Sequence, residues 1–72
     1  MDKSTFLIKL GAQIVKKRLE KGMTQSELAR ACDKEPQSIE RVENGKINPS
    51  AYYLKQIADA LEIPVKDIFD FK

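Results

Sequence analysis

The stretch Thr24-Gln25-Ser26-Glu27 constrains the fold of this chain more than any other feature, because it fixes where a helix begins. In such a T-x-x-E capping box, the Thr24 hydroxyl accepts the Glu27 backbone N–H and the Glu27 carboxylate accepts that of Thr24. Gly22 lies just before it, and glycine often ends a helix because it readily adopts a positive φ. One helix therefore ends at Gly22 and another begins at Thr24.

The same kinds of signal predict three further helices, which makes five in all. Their expected bounds are Thr5 to Glu20 for the first helix, Thr24 to about Cys32 for the second, Pro36 to Asn44 for the third, a fourth after Ser50 and a short fifth after Pro64. The first and fourth carry apolar residues at helical spacing, and no segment alternates as a strand would. The sequence predicts an all-α, compact five-helix bundle that forms a single domain over residues 1–72.

Composition argues against several classes of protein. The chain has one cysteine, Cys32, and no histidine, so neither an internal disulfide nor a zinc site is expected. It also lacks a Cys–His pair and a glycine-rich phosphate loop, so we expect no catalytic residues, no metal and no cofactor. The apolar run Phe6-Leu7-Ile8 is too short for a signal peptide or a membrane span, which favours a cytoplasmic protein. Cys32 is expected to be a buried, inert thiol.

Charge by itself says little about the ligand. Residues 1–50 hold ten basic and seven acidic residues, a net +3, whereas residues 51–72 hold three and four, a net −1. A solvated surface of mixed charge explains this distribution about as well as a DNA-facing half does.

The spacing of the second and third helices is more informative. They are short, and a tight turn of Asp33 and Lys34 joins them. The third has a thin apolar face, Ile39 and Val42, and a polar outer face. This is the arrangement of a helix-turn-helix, in which the second of the two helices enters the DNA major groove.

Four segments in order, MTQSELA (23–29), QSIERVENGK (37–46), NPS (48–50) and LKQIADAL (54–61), resemble the XRE/Cro-type, lambda-repressor-like helix-turn-helix family. The resemblance covers roughly residues 7–70 and implies double-stranded DNA as the partner. It implies base contacts by Gln37, Ser38 and Arg41, and phosphate contacts by Gln25, Asn44, Gly45 and Lys46. It also implies a partly buried salt bridge between Arg18 and Glu43. A helix stop explains Asn44 and Gly45 equally well, and Lys46 suits any surface.

Some positions depart from the family pattern. Asp33 replaces the usual turn glycine, and Lys34 stands where relatives bury a small apolar residue, so its stem must cross the core surface. Pro36 replaces a contacting polar residue. The acidic side chains of Asp33, Glu35 and Glu40 would repel phosphates if they faced them, which lowers the expected affinity but leaves the fold unaffected.

The resemblance also implies a homodimer on an inverted repeat, with sequence-specific regulation of transcription. The candidate dimer surface is apolar and C-terminal: Ile63, Pro64, Val65, Phe69 and Phe71. These residues suit closure of the core equally well. Of Tyr52 and Tyr53, one is expected to pack, but the sequence leaves open which. Two other roles fit the chain: the antitoxin of a toxin–antitoxin pair, bound to a partner protein, and a controller of a restriction–modification system.

Overall fold

A computed structural model describes residues 1–72 and contains five α-helices and no strands. The helices are α1 (Lys3–Lys21), α2 (Gln25–Ala31), α3 (Pro36–Glu43), α4 (Ala51–Leu61) and α5 (Val65–Ile68). The all-α prediction is confirmed. The predicted start of α1 at Thr5 was wrong by two residues, because the Asp2 carboxylate accepts the Thr5 backbone N–H at 2.7 Å and caps the helix earlier.

The other helix starts follow the sequence signals. Both hydrogen bonds of the capping box are present: Glu27 N–H to Thr24 Oγ1 at 3.0 Å, and Thr24 N–H to Glu27 Oε1 at 2.8 Å. Pro36 occupies the first position of α3, and the Ser50 hydroxyl accepts the Tyr53 backbone N–H at the start of α4. Local chemistry therefore sets where each of these helices begins.

A residue with left-handed backbone follows each of the first four helices. Two are glycines, Gly22 and Gly45, and two are not: Asp33 (φ 56°) and Glu62 (φ 58°). At each of the four ends, the next N–H bonds the carbonyl five residues back, as in the bond from Lys34 to Ala29 at 2.8 Å. Asp33, which replaces the usual turn glycine, thus adopts the left-handed conformation at a steric cost that glycine would avoid.

The core consists of fourteen apolar residues drawn from all five helices and the turn after α2. They are Leu7, Leu10, Ile14, Leu28, Ala29, Cys32, Ile39, Val42, Tyr53, Leu54, Ile57, Ala58, Leu61 and Ile68. The expected burial of Cys32 is confirmed, and burial raises the pKa of its thiol, which disfavours the reactive thiolate. None of the helices is long and apolar enough to cross a membrane.

A close approach between α1 and the end of α3 depends on Gly11. A Cβ atom at this position would lie 2.3 Å from the Glu43 carbonyl oxygen and 2.5 Å from that of Val42. The backbone of α3 therefore rests directly on α1, and only glycine leaves room for it. This contact fixes the position of α3 relative to the rest of the domain.

The C-terminal region packs mainly on this same chain. Gln13 donates to the Asp67 carbonyl at 2.8 Å, and the rings of Phe71 and Phe6 lie with centroids 5.5 Å apart. Of the residues expected at a dimer surface, Ile63, Val65 and Phe71 are partly buried against the core, whereas Pro64 is exposed and Phe69 is 42% exposed. Packing against the core thus uses much of this surface but leaves Pro64 and Phe69 exposed.

Candidate nucleic-acid interface

One face of the α3 helix is buried in the core, and the opposite face, here called its wet face, is exposed to solvent. Ile39 and Val42 are buried in the core, whereas Gln37 and Arg41 on the opposite side are exposed. Neither exposed side chain makes a hydrogen bond or an ion pair within the chain, so their donors are free. In a major groove, guanine offers two acceptors to an arginine, and adenine offers one acceptor and one donor to a glutamine.

A buried polar network holds this helix to α1 and α2. The Arg18 guanidinium donates from Nε to Glu43 Oε2 at 2.7 Å and from Nη2 to Oε1 at 3.2 Å. Gln25 donates from Nε2 to the same Oε1 at 2.7 Å, and Arg18 also bonds the Met23 carbonyl. The Arg18 and Glu43 side chains are only 11% and 2% exposed. The predicted pair is thus present, and its geometry is the forked, two-bond arrangement that arginine favours.

Gln25 is less exposed than Gln37 and Arg41, and its side chain already has a partner within the chain. Its side chain is half-buried and already bonded to Glu43, at the start of α2. A primary amide has two N–H groups, so one donor remains for an external acceptor. The Gln25 side chain could therefore make its predicted phosphate contact while it stays bonded to Glu43 in the network that positions α3.

Ser38 is similarly engaged. Its hydroxyl lies 2.8 Å from the hydroxyl of Tyr53, across the interface between α3 and α4. Tyr53 is buried and Tyr52 is exposed, which settles the choice that the sequence left open. The signal was present in the spacing, because Tyr53 lies four residues before the buried Ile57 and eight before Leu61.

The Lys34 stem was expected to cross the surface of the core, and its end lies over the ring of the buried Tyr53. The residue is exposed, and its ammonium group lies 4.8 Å from the centre of the Tyr53 ring, a cation–π contact. The turn therefore presents a positive charge beside the start of α3. Three exposed acidic residues lie in the same region: Asp33, Glu35 and Glu40.

The loop after α3 is ordered by its contact with α1. Gly45 has φ 71°, and a Cβ atom there would lie 2.9 Å from the Ile8 backbone. Asn44 and Lys46 on either side are exposed and make no side-chain hydrogen bond. The predicted phosphate-binding loop is therefore a fixed, solvent-facing edge beside Arg41.

Comparison with known proteins agrees with this geometry. The sequence profile of a helix-turn-helix family, HTH_3, matches residues 14–68. No curated protein sequence matches the chain.

Several solved structures resemble the fold. The restriction–modification controller protein C.AhdI from Aeromonas hydrophila has a TM-score of 0.92 at 29% identity, covering 96% of this chain and 100% of that one. For the clp gene regulator ClgR from C. glutamicum, the TM-score is 0.84 at 32% identity, with 88% and 82% covered. The restriction–modification controller protein C.Esp1396I has a TM-score of 0.79 at 31% identity, covering 96% of this chain and 99% of that one. The chain belongs to the helix-turn-helix family of XRE/Cro type.

Proposed function

We propose that this protein is a transcriptional regulator that binds double-stranded DNA sequence-specifically, with α3 lying in the major groove. The observation that carries the proposal is the exposed, unpartnered pair Gln37 and Arg41 on a helix whose other face is buried. A reading helix must be held rigidly by the domain while its polar side chains stay free, and the Arg18–Glu43–Gln25 network supports the first condition.

Each polar side chain on this surface has a proposed role. Gln37 pairs with an adenine edge, Arg41 with the O6 and N7 atoms of guanine, and Ser38 with a base edge near them. The remaining N–H of Gln25, the backbone of Asn44 and Gly45, and the Lys46 ammonium bind phosphates and set the register. Such phosphate contacts make the affinity depend strongly on salt.

We further propose that two copies bind an inverted repeat through the C-terminal region. The exposed ring of Phe69, beside the partly buried Ile63, Val65 and Phe71, supports this surface. Phe69→Ser should shift the protein toward monomer in sedimentation equilibrium. Leu19→Ser, at an exposed apolar residue of α1, is the matched control. Equal association constants for the two variants would contradict this surface.

A second function of the same class is control of restriction–modification genes. The structural similarity to C.AhdI over the whole of that protein favours it. Neighbouring genes for a nuclease and a methyltransferase would support this role, and DNA bound upstream of unrelated genes would contradict it. The antitoxin role stays a prediction, which co-purification of a second chain would test. In each case we propose a non-enzymatic protein that acts in the cytoplasm.

Selection of bound duplexes from a random pool tests the main proposal. We expect a two-fold symmetric motif. Arg41→Ala should weaken binding to the selected site by about 1–3 kcal/mol and relax the preference at one base pair. Lys46→Ala should weaken binding to all duplexes alike and lower the salt dependence.

Lys55→Ala serves as the control for a lost lysine, because Lys55 lies on α4 and pairs with Asp59. It should leave affinity nearly unchanged. An Arg41→Ala variant that loses the same affinity on selected and random duplexes would refute the base-reading role.

A further inference from the structure

Tyr53 joins the turn and the α3 helix from its place on α4. Its hydroxyl lies 2.8 Å from Ser38 Oγ, which is the only hydrogen-bond partner of that hydroxyl in the chain. The face of its ring carries the Lys34 ammonium at 4.8 Å. Tyr53 is 7% exposed, whereas Ser38 is half-buried at the edge of the wet face of α3.

Burial favours Tyr53 over Ser38 as the donor in the hydrogen bond between their hydroxyls. If Ser38 donated, the phenolic proton of the buried Tyr53 would have no acceptor, and an unsatisfied buried donor costs about 1–3 kcal/mol. If Tyr53 donates, the proton of Ser38 remains free on the more exposed side. Burial also raises the pKa of Tyr53, so the phenol keeps the proton that it donates.

We propose that Tyr53 is a specificity-determining residue that acts through Ser38. It donates its phenolic proton to the Ser38 hydroxyl, and this leaves the proton of Ser38 to be donated to DNA. This inference rests on the proposed function. A serine hydroxyl that is free to rotate can donate or accept, and therefore discriminates poorly between base edges. One that already accepts from Tyr53 keeps its own proton for an external acceptor and has only one lone pair left with which to accept, so it is biased toward donating.

The chemical class of the contact follows. In the major groove, the acceptors are N7 and O6 of guanine, N7 of adenine and O4 of thymine, whereas the amino groups of cytosine and adenine are donors. Ser38 therefore favours an acceptor over the cytosine amino group at the one base position that it faces. Tyr53 itself touches no DNA in this arrangement.

The decisive variant is Tyr53→Phe, which removes the hydroxyl but keeps the ring under Lys34. Duplex selection and fluorescence anisotropy would be run on the wild type, Tyr53→Phe, Ser38→Ala and the double variant, with Tyr52→Phe as a matched control on the neighbouring exposed ring. We expect Tyr53→Phe to reduce the preference at one base position by about 2- to 10-fold, the equivalent of one hydrogen bond. Ser38→Ala should reduce it at the same position, and the double variant no further.

The outcomes separate this inference from the proposed function. If the wild type binds no duplex preferentially, the proposed function fails. If the wild type selects a motif but Tyr53→Phe keeps every preference, the inference alone is overturned. Losses that add up in the double variant also overturn it, because independent residues do not act through each other. Should Tyr53→Phe unfold, Ser38→Ala on the half-exposed α3 surface still must lose that one preference, and a uniform loss on all duplexes refutes the role.

Discussion

Replacing Arg18 by methionine should destabilise the fold by about 3–5 kcal/mol, because it leaves a buried carboxylate without its main partner. Arg18 supplies two of the three hydrogen bonds that the Glu43 carboxylate accepts, and Gln25 supplies the third. With a side chain only 2% exposed, Glu43 cannot turn to water for the missing donors. A domain of this size has a total stability of about 4–11 kcal/mol, so this one change removes a large part of it.

The paired replacement distinguishes a buried pair from two independent residues. Changing both Arg18 and Glu43 to methionine should cost less than changing Arg18 alone, because two apolar side chains in the same space need no charge partner. The assay is urea unfolding followed by far-ultraviolet circular dichroism, with free energies extrapolated to water. We expect a coupling of at least about 2 kcal/mol in this double-mutant cycle.

The exposed pair of Lys55 and Asp59 gives the control. Its side chains are 56% and 61% exposed with a separation of 2.6 Å, so the distance resembles that of the buried pair while the surroundings do not. Lys55→Met should cost below about 1 kcal/mol. If Arg18→Met costs as little as Lys55→Met, or if the two changes at Arg18 and Glu43 simply add, then burial does not strengthen this ion pair and the reasoning fails.

Three further changes test other parts of the structure. Gly11→Ala should cost about 1–3 kcal/mol, because the new Cβ meets backbone that cannot rotate away, whereas Gly22→Ala meets nothing and should cost only about 1 kcal/mol of left-handed strain; equal thermal shifts would contradict the close approach. Asp33→Gly should raise the urea midpoint, with a gain of about 0.5–1 kcal/mol, since left-handed strain outweighs the entropy of glycine; an unchanged or lower midpoint would contradict it. The hydrogen bond from the Thr24 backbone lowers the pKa of Glu27, so its stabilisation is present above the unfolded pKa and is lost as pH falls through the folded one. The wild type should therefore lose more stability than Glu27→Gln between about pH 6 and about pH 3, and parallel pH profiles would argue against the cap.

Local signals in the sequence were enough to predict the helices and to predict which face of α3 is buried. Capping residues near their helix starts, such as Thr24 and Ser50, act within four residues, so the sequence carries their whole mechanism. The i, i+3 pair Ile39 and Val42 likewise decides which face of α3 is buried. The Arg18–Glu43 pair joins residues far apart in the chain, and only the family resemblance predicted it.

Local signals could not predict the contacts that one helix makes with another. The engagement of Gln25 by Glu43, and of Ser38 by Tyr53, depends on how three helices meet, and polar residues at a helix surface look alike in sequence whether or not a neighbour reaches them. Gly11 lies among apolar residues of α1, and nothing in the sequence shows that the backbone of α3 approaches it. At the C-terminus, apolar side chains suit a core and an interface equally, so Phe69 could not be assigned.

The short length of α3 makes its proposed recognition of DNA depend on the folding of the whole domain. Eight residues without a side-chain cap do not form a stable helix in water, so the proposed DNA-binding surface of α3 exists only while the whole domain is folded. The apparent dissociation constant is then the intrinsic one divided by the folded fraction. A variant that retains about 1.4 kcal/mol of stability is still about 90% folded and binds almost as well as its parent. Occupancy of an operator should accordingly tolerate many destabilising substitutions and then collapse over a narrow range of temperature.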